Sequence, residues 1–480
     1  MTDHDTLFIG GEWVSPSSSR TITVVSASTE EVIGSVPEAQ EADVDAAVDA
    51  ARHAFDDPNG WATWQPAKRA AAMERFADEL EKRGGEIAKL VSAQNGMPVA
   101  ISTAFEGAFP AVLLRYYAGV IKEAVYEEER AGLMGGTIVV RRAPIGVVGA
   151  IVPWNFPQSL AAFKYAPALA AGCTLVIKPS PETVLDTIPV AEAAAAAGIP
   201  AGVINFVPAG REVGAYLVSH PGVDKISFTG STAAGRSIGE TCGRLLRPVT
   251  LELGGKSAAI VLDDADLDLA TVGEKLFQAT LLNNGQTCFL GTRVLAPRSR
   301  YKEVVDTFAA LASSLKVGDA LDATTQIGPM ASDRQRDRVE GYIAKGKAEG
   351  ARVVVGGGRP AGQDRGWFVE PTIFADVDNN HTIAQEEIFG PVLSLIPYTD
   401  DADAVRIAND SDFGLGGTVW TGDKDRGLGV ARRVQTGTIG INTYLPDPAA
   451  PFGGVKASGL GRELGPESIG HYQQIQSIFT

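Results

Sequence analysis

From about residue 145 the chain alternates between apolar runs rich in β-branched residues and longer stretches of helical periodicity: IGVVGAIV, QSLAAFKYAPALAAG, TLVIK, TIPVAEAAAAAG, VINFV, REVGAYLVSH and DKISF. Strands covered on both faces read as continuous apolar runs, and short strands separated by helices of about 10–15 residues form βαβ units of a parallel, doubly wound sheet. Gly172 and Gly198 stand where helix C-caps are needed, and Pro200 follows closely. A Rossmann-like region is therefore expected. After PVTLEL (248–253) the alternation restarts with SAAIVL, a helix near 266–281, the loop NNGQTCFLG, TRVLA, a helix near 301–314 and further units to about 440. This predicts a second α/β region of similar size.

Ahead of both, 41–119 carries Ala-rich amphipathic runs such as VDAAVDAARHAF and RAAAMERFADELEKR and is predicted to be mostly helical. The stretch 122–143 joins a charged KEAVYEEER to a GLMGG turn and TIVVRRA, the pattern of a hairpin projecting from the body. Exposed strand edges recruit partners. The fold class is thus α/β, with two α/β units and a small β hairpin.

Length and charge narrow the function. The 480 residues exceed the roughly 250–300 at which one hydrophobic core stops growing. A formal net charge of −16 argues against nucleic acid, whose binders cluster Lys and Arg to displace counterions. The start MTDHDTLFIGG lacks a signal peptide's basic and apolar regions, and no apolar run reaches the roughly 18 residues of a membrane span. A cytoplasmic protein without a membrane partner is expected. Cys173, Cys242 and Cys288 fit neither a disulfide framework nor a CxxC site, and the five histidines are scattered singly, so no metal is expected.

Several short motifs carry chemistry, each with a plainer alternative. FTGSTAAG (228–235) follows a strand and opens a helix; Gly230, Ser231 and Gly235 there suit a pyrophosphate, or merely a tight turn. Lys178 ends the strand of VIKPS at the sheet edge where doubly wound folds bind ligands, or is a solvated lysine. In PWNFP two prolines stiffen the backbone around Asn155, whose amide suits an oxyanion donor or an Asx turn. Glu252 in LELGGK closes an apolar strand, where desolvation lifts a carboxylate toward general-base range unless a salt bridge holds it. Cys288 lies among Gly285, Thr287 and Gly291, which leave a thiol uncovered, although free cysteines are more often small buried hydrophobes. Cys173, in AAGCTLVI, and Cys242, on a helix, fit that second description.

Seven motifs, PWNFP, IKPS, FTGSTAAG, LELGGK, NGQTC, QEEIFGPV and PFGGVKASGLGREL, follow one another between 153 and 464. Together they resemble the aldehyde dehydrogenase superfamily in its NAD(P)-dependent, non-acylating form. The resemblance implies that Cys288 is the nucleophile, Asn155 the oxyanion donor and Glu252 the base, with Lys164 and Glu463 beside the proton pathway. It places the cofactor on Ile151, Val152, Pro153, Trp154, Lys178, Ser180, Gly210, Gly214, Phe228, Gly230, Ser231, Leu253, Gly254, Glu387 and Phe389. Substrate-funnel positions are Phe156, Phe163, Phe289, Leu445 and Phe452, whose apolar character suits a medium or bulky aromatic, aliphatic or terpenoid aldehyde. NAD-preferring members often carry a glutamate three residues after the ribose lysine; here Pro181 stands there and Glu182 follows, so NAD is favoured and NADP stays open. The implied domains are a cofactor-binding part at 1–121 and 145–254, an oligomerisation hairpin at 122–144, a catalytic domain at 255–457 and a return and oligomerisation tail at 458–480. A homodimer or homotetramer is expected. The competing readings are a CoA-acylating enzyme, which has no use for Glu252, a semialdehyde dehydrogenase, which would want an arginine for the second carboxylate, and a non-catalytic structural relative.

Overall fold

Five parallel strands carry the first alternation: β1 (Val147–Ile151), β2 (Thr174–Lys178), β3 (Ile204–Phe206), β4 (Lys225–Thr229) and β5 (Val249–Glu252). In the computed structural model, which describes residues 2–480, they lie in the order β3-β2-β1-β4-β5. Strand order reverses at β1, and ligands of open α/β sheets bind in the crevice at that switch point. The register sets Lys178, Ile151, Phe228 and Leu251 in one row and Thr229 opposite Glu252. The carboxyl ends of four strands thus deliver their last residues to one edge.

A second sheet holds seven strands, β6 (Ala258–Val261), β7 (Arg293–Pro297), β8 (Arg352–Val355), β9 (Thr372–Ala375), β10 (Val392–Tyr398), β11 (Gly417–Trp420) and β12 (Gly440–Ile441). Their order is β8-β9-β10-β7-β6-β11-β12, parallel except for β8 against β9. Late in the chain β13 (Gly459–Leu460) returns to pair antiparallel with β5, setting Gly459 opposite Glu252. This return brings the segment after 450 beside the first sheet.

The early helical stretch resolves into helices Glu41–Asp56, Pro66–Asn95 and Phe109–Glu123. Pro66 pre-sets the first turn of the long helix, and Gly96, at φ 79°, ends it in the left-handed conformation that a Cβ disfavours. The long helix packs Met73, Phe76, Leu80 and Ile87 against Leu113, Leu114 and Leu169 of its neighbours. Each such side chain contributes about 1.5–3 kcal/mol on burial. Before Phe109 the chain makes a π-helical turn, Thr103–Ala108, which the amphipathic pattern did not disclose. Nor did it disclose the strands Leu7–Ile9, Glu12–Val14, Thr21–Val25 and Val32–Pro37, which lie ahead of the helical stretch.

The hairpin forms from Glu127–Ala131 and Thr137–Pro144, and the C-terminal strand Gln473–Phe479 joins it, Gln473 opposite Pro144 and Phe479 opposite Ile138. Leu133 and Met134 at its tip are exposed, as are Ile475 and Phe479. Among the described residues no helix is long and apolar enough to cross a membrane.

Candidate active site

The cysteine loop is built from unusual backbone. Asn283, Asn284 and Gly285 have φ of 51°, 59° and 72°. Their amides tie the loop down: Asn283 Nδ2 donates to the Asn155 carbonyl at 2.9 Å, and Asn284 Nδ2 to the Gly96 and Pro329 carbonyls at 2.8 and 2.9 Å. At Gly285 a Cβ would run into the carbonyl oxygen of Gly390, and at Gly255 into that of Cys288. Gly285 and Gly255 are therefore demanded by close backbone approach. Gly285→Ala is expected to lower Tm by several degrees and kcat by about 10²-fold, because a shift of about 1 Å in a catalytic loop is that costly; thermal unfolding and steady-state assays check it.

Cys288 is half-buried, whereas Cys173 and Cys242 are fully buried. Cys173 donates its thiol to the Tyr472 carbonyl at 3.3 Å, the behaviour of a packed residue. Beside Cys288, Asn155 is fixed by two hydrogen bonds to its own carbonyl, from Asn283 and Asn95, while its Nδ2 donates to the Gln286 carbonyl at 3.0 Å. Among the described residues the Cys288 amide N–H donates to no other residue. A side-chain amide and an unspent backbone donor flanking a thiol match the needs of a developing oxyanion. Burial, with Glu387 and Glu252 adding to it, pushes the Cys288 thiol up, so the sulfur rests protonated.

Glu252 is buried, and among the described residues neither of its carboxylate oxygens has a hydrogen-bond partner. Burial raises its carboxyl well above the ordinary range, Glu463 raises it further, and Lys164 and Arg462 oppose them. Gly453 leaves the space it occupies, since a Cβ there would lie 2.6 Å from Oε1. Behind it Lys164 and Glu463 form a buried ion pair at 2.7 Å; Lys164 also donates to Thr229 Oγ1 at 2.6 Å, and Ser227 donates to Glu463 at 3.3 Å. A lone buried carboxyl facing a fixed ion pair is poised to exchange protons.

Two cavities reach the thiol. The larger, about 410 Å³, opens at the strand ends and is lined by Pro153, Trp154, Gly230, Ser231, Leu253, Gly254, Glu387 and Phe389, with Asn155 and Cys288 also on its wall. Thr229, Arg334, Gln335 and Arg338 line it as well, and sequence reasoning missed them; the three from helix Asp333–Ala348 carry no local signal. Gln335 Nε2 holds the Phe389 carbonyl at 2.7 Å, stabilising a φ of 63° there, and Phe389 meets Trp154 edge to face at 5.4 Å. Glu387 accepts from the Gly255 amide at 2.9 Å, and a Cβ on Gly254 would lie 2.5 Å from its other oxygen.

The other expected cofactor residues frame this cavity without lining it. Lys178 donates to the Pro179 and Ala209 carbonyls at 2.8 and 2.7 Å, its stem crosses Gly214, and burial lowers its amine to about 8. Gly210 caps helix Arg211–Ser219. The Val152 amide donates to the Lys178 carbonyl at 3.1 Å, Ile151 pairs with Lys178 and Phe228, and the Phe228 ring lies 2.5 Å from where a Gly230 Cβ would be. Ser180 donates to Glu182, which also pairs with Arg334 at 3.2 Å. The Ser231 hydroxyl accepts from the Ala234 amide at 3.3 Å and so caps helix Thr232–Arg244, leaving the first amides of that helix free for an anion. A dinucleotide fits these residues: glycines keep the cavity open, and Lys178 retains a proton beyond its two carbonyl partners.

The second cavity is narrow, about 40 Å³, and its walls include Phe105, Phe109, Phe156, Phe163, Phe289 and Phe452, with Asn155 and Cys288 again among them. Neighbouring rings stand 5.8–6.5 Å apart in tilted or edge-to-face pairs. Among the described residues no charged side chain lines it. Leu445, an expected funnel residue, is exposed and does not line the cavity; Pro446 does, and Tyr444 packs edge to face on Phe289 at 5.0 Å. The side chain of a residue in an irregular loop has no period to fix it. Asn155 and Cys288 are the residues common to both cavities.

The aldehyde dehydrogenase family model matches residues 13–478. The chain belongs to the aldehyde dehydrogenase family. A geranial dehydrogenase of Castellaniella defragrans is 58% identical over 477 residues, 99% of each chain. A 3-succinoylsemialdehyde-pyridine dehydrogenase of a Pseudomonas species is 41% identical, over 100% of this chain and 99% of its own length. The crystal structure of an aldehyde dehydrogenase of Mycobacterium tuberculosis complexed with NAD+ superposes with a TM-score of 0.97 at 49% identity, over 100% of this chain and 98% of that one. The sequence resemblance to this family is thereby established as membership, with its α/β fold.

Proposed function

We propose that this aldehyde dehydrogenase oxidises medium or bulky apolar aldehydes, terpenoid, aliphatic or aromatic, to carboxylic acids with NAD, through a thioester on Cys288. The observation that carries the reading is the phenylalanine-walled channel, free of charged lining, that ends on the thiol. Apolar substrates gain about 25 cal/mol per Å² buried in such walls, whereas a carboxylate-bearing semialdehyde would enter without a cationic partner. The geranial dehydrogenase relative agrees in substrate class.

The residues divide the work as follows. The Cys288 thiol gives up its proton to solvent, and the thiolate attacks the carbonyl carbon to form a C–S bond. Asn155 Nδ2 and the Cys288 amide receive the oxyanion. The adduct collapses to the thioester as the C=O bond reforms and the aldehyde hydrogen leaves as hydride, for which NAD held in the larger cavity would supply the acceptor. Glu252 then deprotonates a water that attacks the thioester, the C–S bond breaks, and the acid leaves. Lys164 and Glu463 stand behind Glu252 to carry its proton onward. Lys178, Glu387, Phe389 and the free amides after Ser231 would hold the cofactor.

The test is kcat/KM for geranial, decanal and benzaldehyde against succinic semialdehyde, each with NAD and with NADP. The apolar aldehydes are expected to lead by at least about 10²-fold, and succinic semialdehyde matching them would defeat the reading. Lys178→Ala is expected to raise the KM for NAD about 10–100-fold, the worth of a charged hydrogen bond. In the same proposal the sheet of Glu127–Ala131, Thr137–Pro144 and Gln473–Phe479 mediates self-association into a dimer or tetramer through its exposed apolar residues.

A further inference from the structure

One wall of the aldehyde channel stands on a segment with no place in the chemistry described above. Phe105 belongs to the π-helical turn Thr103–Ala108 and Phe109 opens the helix that follows, while Phe156, Leu160 and Phe163 come from the start of helix Pro157–Ala171. The channel runs between these two groups. Two ties join them: Glu106 Oε2 accepts from the Gln158 amide at 2.7 Å, and Ser159 Oγ donates to the Phe105 carbonyl. On its far side the turn is locked to the long helix, because a Cβ on Gly107 would lie 2.5 Å from the Gly84 carbonyl oxygen and the reverse also holds. π-helical turns interrupt the regular ladder and recur at functional sites.

We propose that Glu106 is a positioning residue that fixes the Phe105–Phe109 wall against helix Pro157–Ala171 and so determines how well the channel accepts long or bulky aldehydes. This rests on the apolar-aldehyde reading given above. Glu106 is fully buried and touches neither Cys288 nor the cofactor cavity. Its Oε1 has no partner, and neither have Gln158 Oε1 and the Tyr165 hydroxyl, so a set of polar atoms lies unsatisfied beneath the channel floor. Beyond them Gln158 and Gln94 both donate to the buried Asp186, at 2.5 and 2.7 Å. The titratable groups facing Glu106 are Asp186, from the segment before helix Thr187–Ala196, and Tyr165, from helix Pro157–Ala171. Burial first, and then the Asp186 charge, push the Glu106 carboxyl up to about 8. At neutral pH it therefore keeps its proton, accepts from Gln158 through one oxygen and puts no net charge under an apolar wall. As pH rises through about 8 the wall acquires an uncompensated charge, which disfavours the packed arrangement.

The test compares decanal with propanal in the full-length enzyme at saturating NAD, for the wild type, Glu106→Gln and Glu106→Leu. Glu106→Leu is expected to raise the KM for decanal about tenfold while the KM for propanal, the Kd for NAD and kcat move less than about twofold. Glu106→Gln, which keeps an uncharged acceptor of the same shape, is expected to stay within about threefold of the wild type. The ratio of kcat/KM for decanal to that for propanal should fall through about pH 8 in the wild type and stay flat in Glu106→Gln. Should Glu106→Leu fail to fold, Ser159→Ala removes the second tie and is expected to raise the decanal KM with the same selectivity. Equal losses on both aldehydes, a Glu106→Gln enzyme as impaired as Glu106→Leu, or no change in any variant would overturn the proposal. A wild type that shows no preference for decanal is visible before any variant is made and removes the apolar-aldehyde reading, and this proposal with it.

Discussion

Cys288→Ala is expected to abolish aldehyde-dependent NADH formation, a loss of at least about 10⁴-fold in kcat, while leaving the Kd for NAD within about twofold. The split follows from geometry. The thiol lies where the two cavities meet, yet the residues proposed to hold the cofactor, Lys178, Glu387 and Phe389, are held by their own backbone partners and not by the sulfur. Removing Sγ deletes the nucleophile and leaves Asn155 in place, because its carbonyl is tied to Asn95 and Asn283. Cofactor titration by fluorescence, alongside the assay, separates the two effects. Residual turnover comparable with the wild type would remove Cys288 from the mechanism.

Glu252→Gln is expected to keep a burst of about one equivalent of NADH per active site while slowing steady turnover about 10²–10⁴-fold. Glutamine fills the space beside Gly453 but cannot take a proton from water. The carboxyl of Glu252 sits well above the ordinary carboxylate range through burial and the Glu463 charge. The base form therefore grows only as pH rises past that range, and wild-type turnover limited by thioester hydrolysis should climb with pH. In Glu252→Gln that climb is expected to vanish. Stopped-flow traces across pH read both, and loss of the burst itself would show that Glu252 is needed before acylation as well as after it.

How much of this was legible before any coordinates depends on the kind of signal. The first sheet was readable because its strands are buried on both faces, so β1 to β5 fall where the apolar runs lie. Gly172, expected as a C-cap, has φ 98°. Local chemistry marked Asn155, Glu252 and Cys288 only as candidates, through the prolines around Asn155, the glycines after Glu252 and the small residues around Cys288, each beside a plainer alternative, and the resemblance chose between the two. Glu387 and Phe389 came only from the resemblance, since nothing in QEEIFGPV by itself says that Glu387 meets the Gly255 amide. Phe105 and Phe109 were hidden because their segment reads as ordinary amphipathic helix, and the π-helical turn that places them on the channel depends on Gly84, Gly107 and Gln158, far apart in sequence. Arg334 and Gln335 were hidden for the same reason: they line the cavity beside partners far away in sequence, Gln335 with the Phe389 carbonyl and Arg334 with Glu182.

The proposed reaction places an acyl group on Cys288 at the end of an apolar channel. The most direct measurement is mass spectrometry of Glu252→Gln quenched in acid after mixing with decanal and NAD, followed by proteolysis. A decanoyl mass on the peptide that carries Cys288 is the predicted result. A peptide of unmodified mass in an enzyme that has released its burst of NADH, or a decanoyl group on another residue, would contradict it.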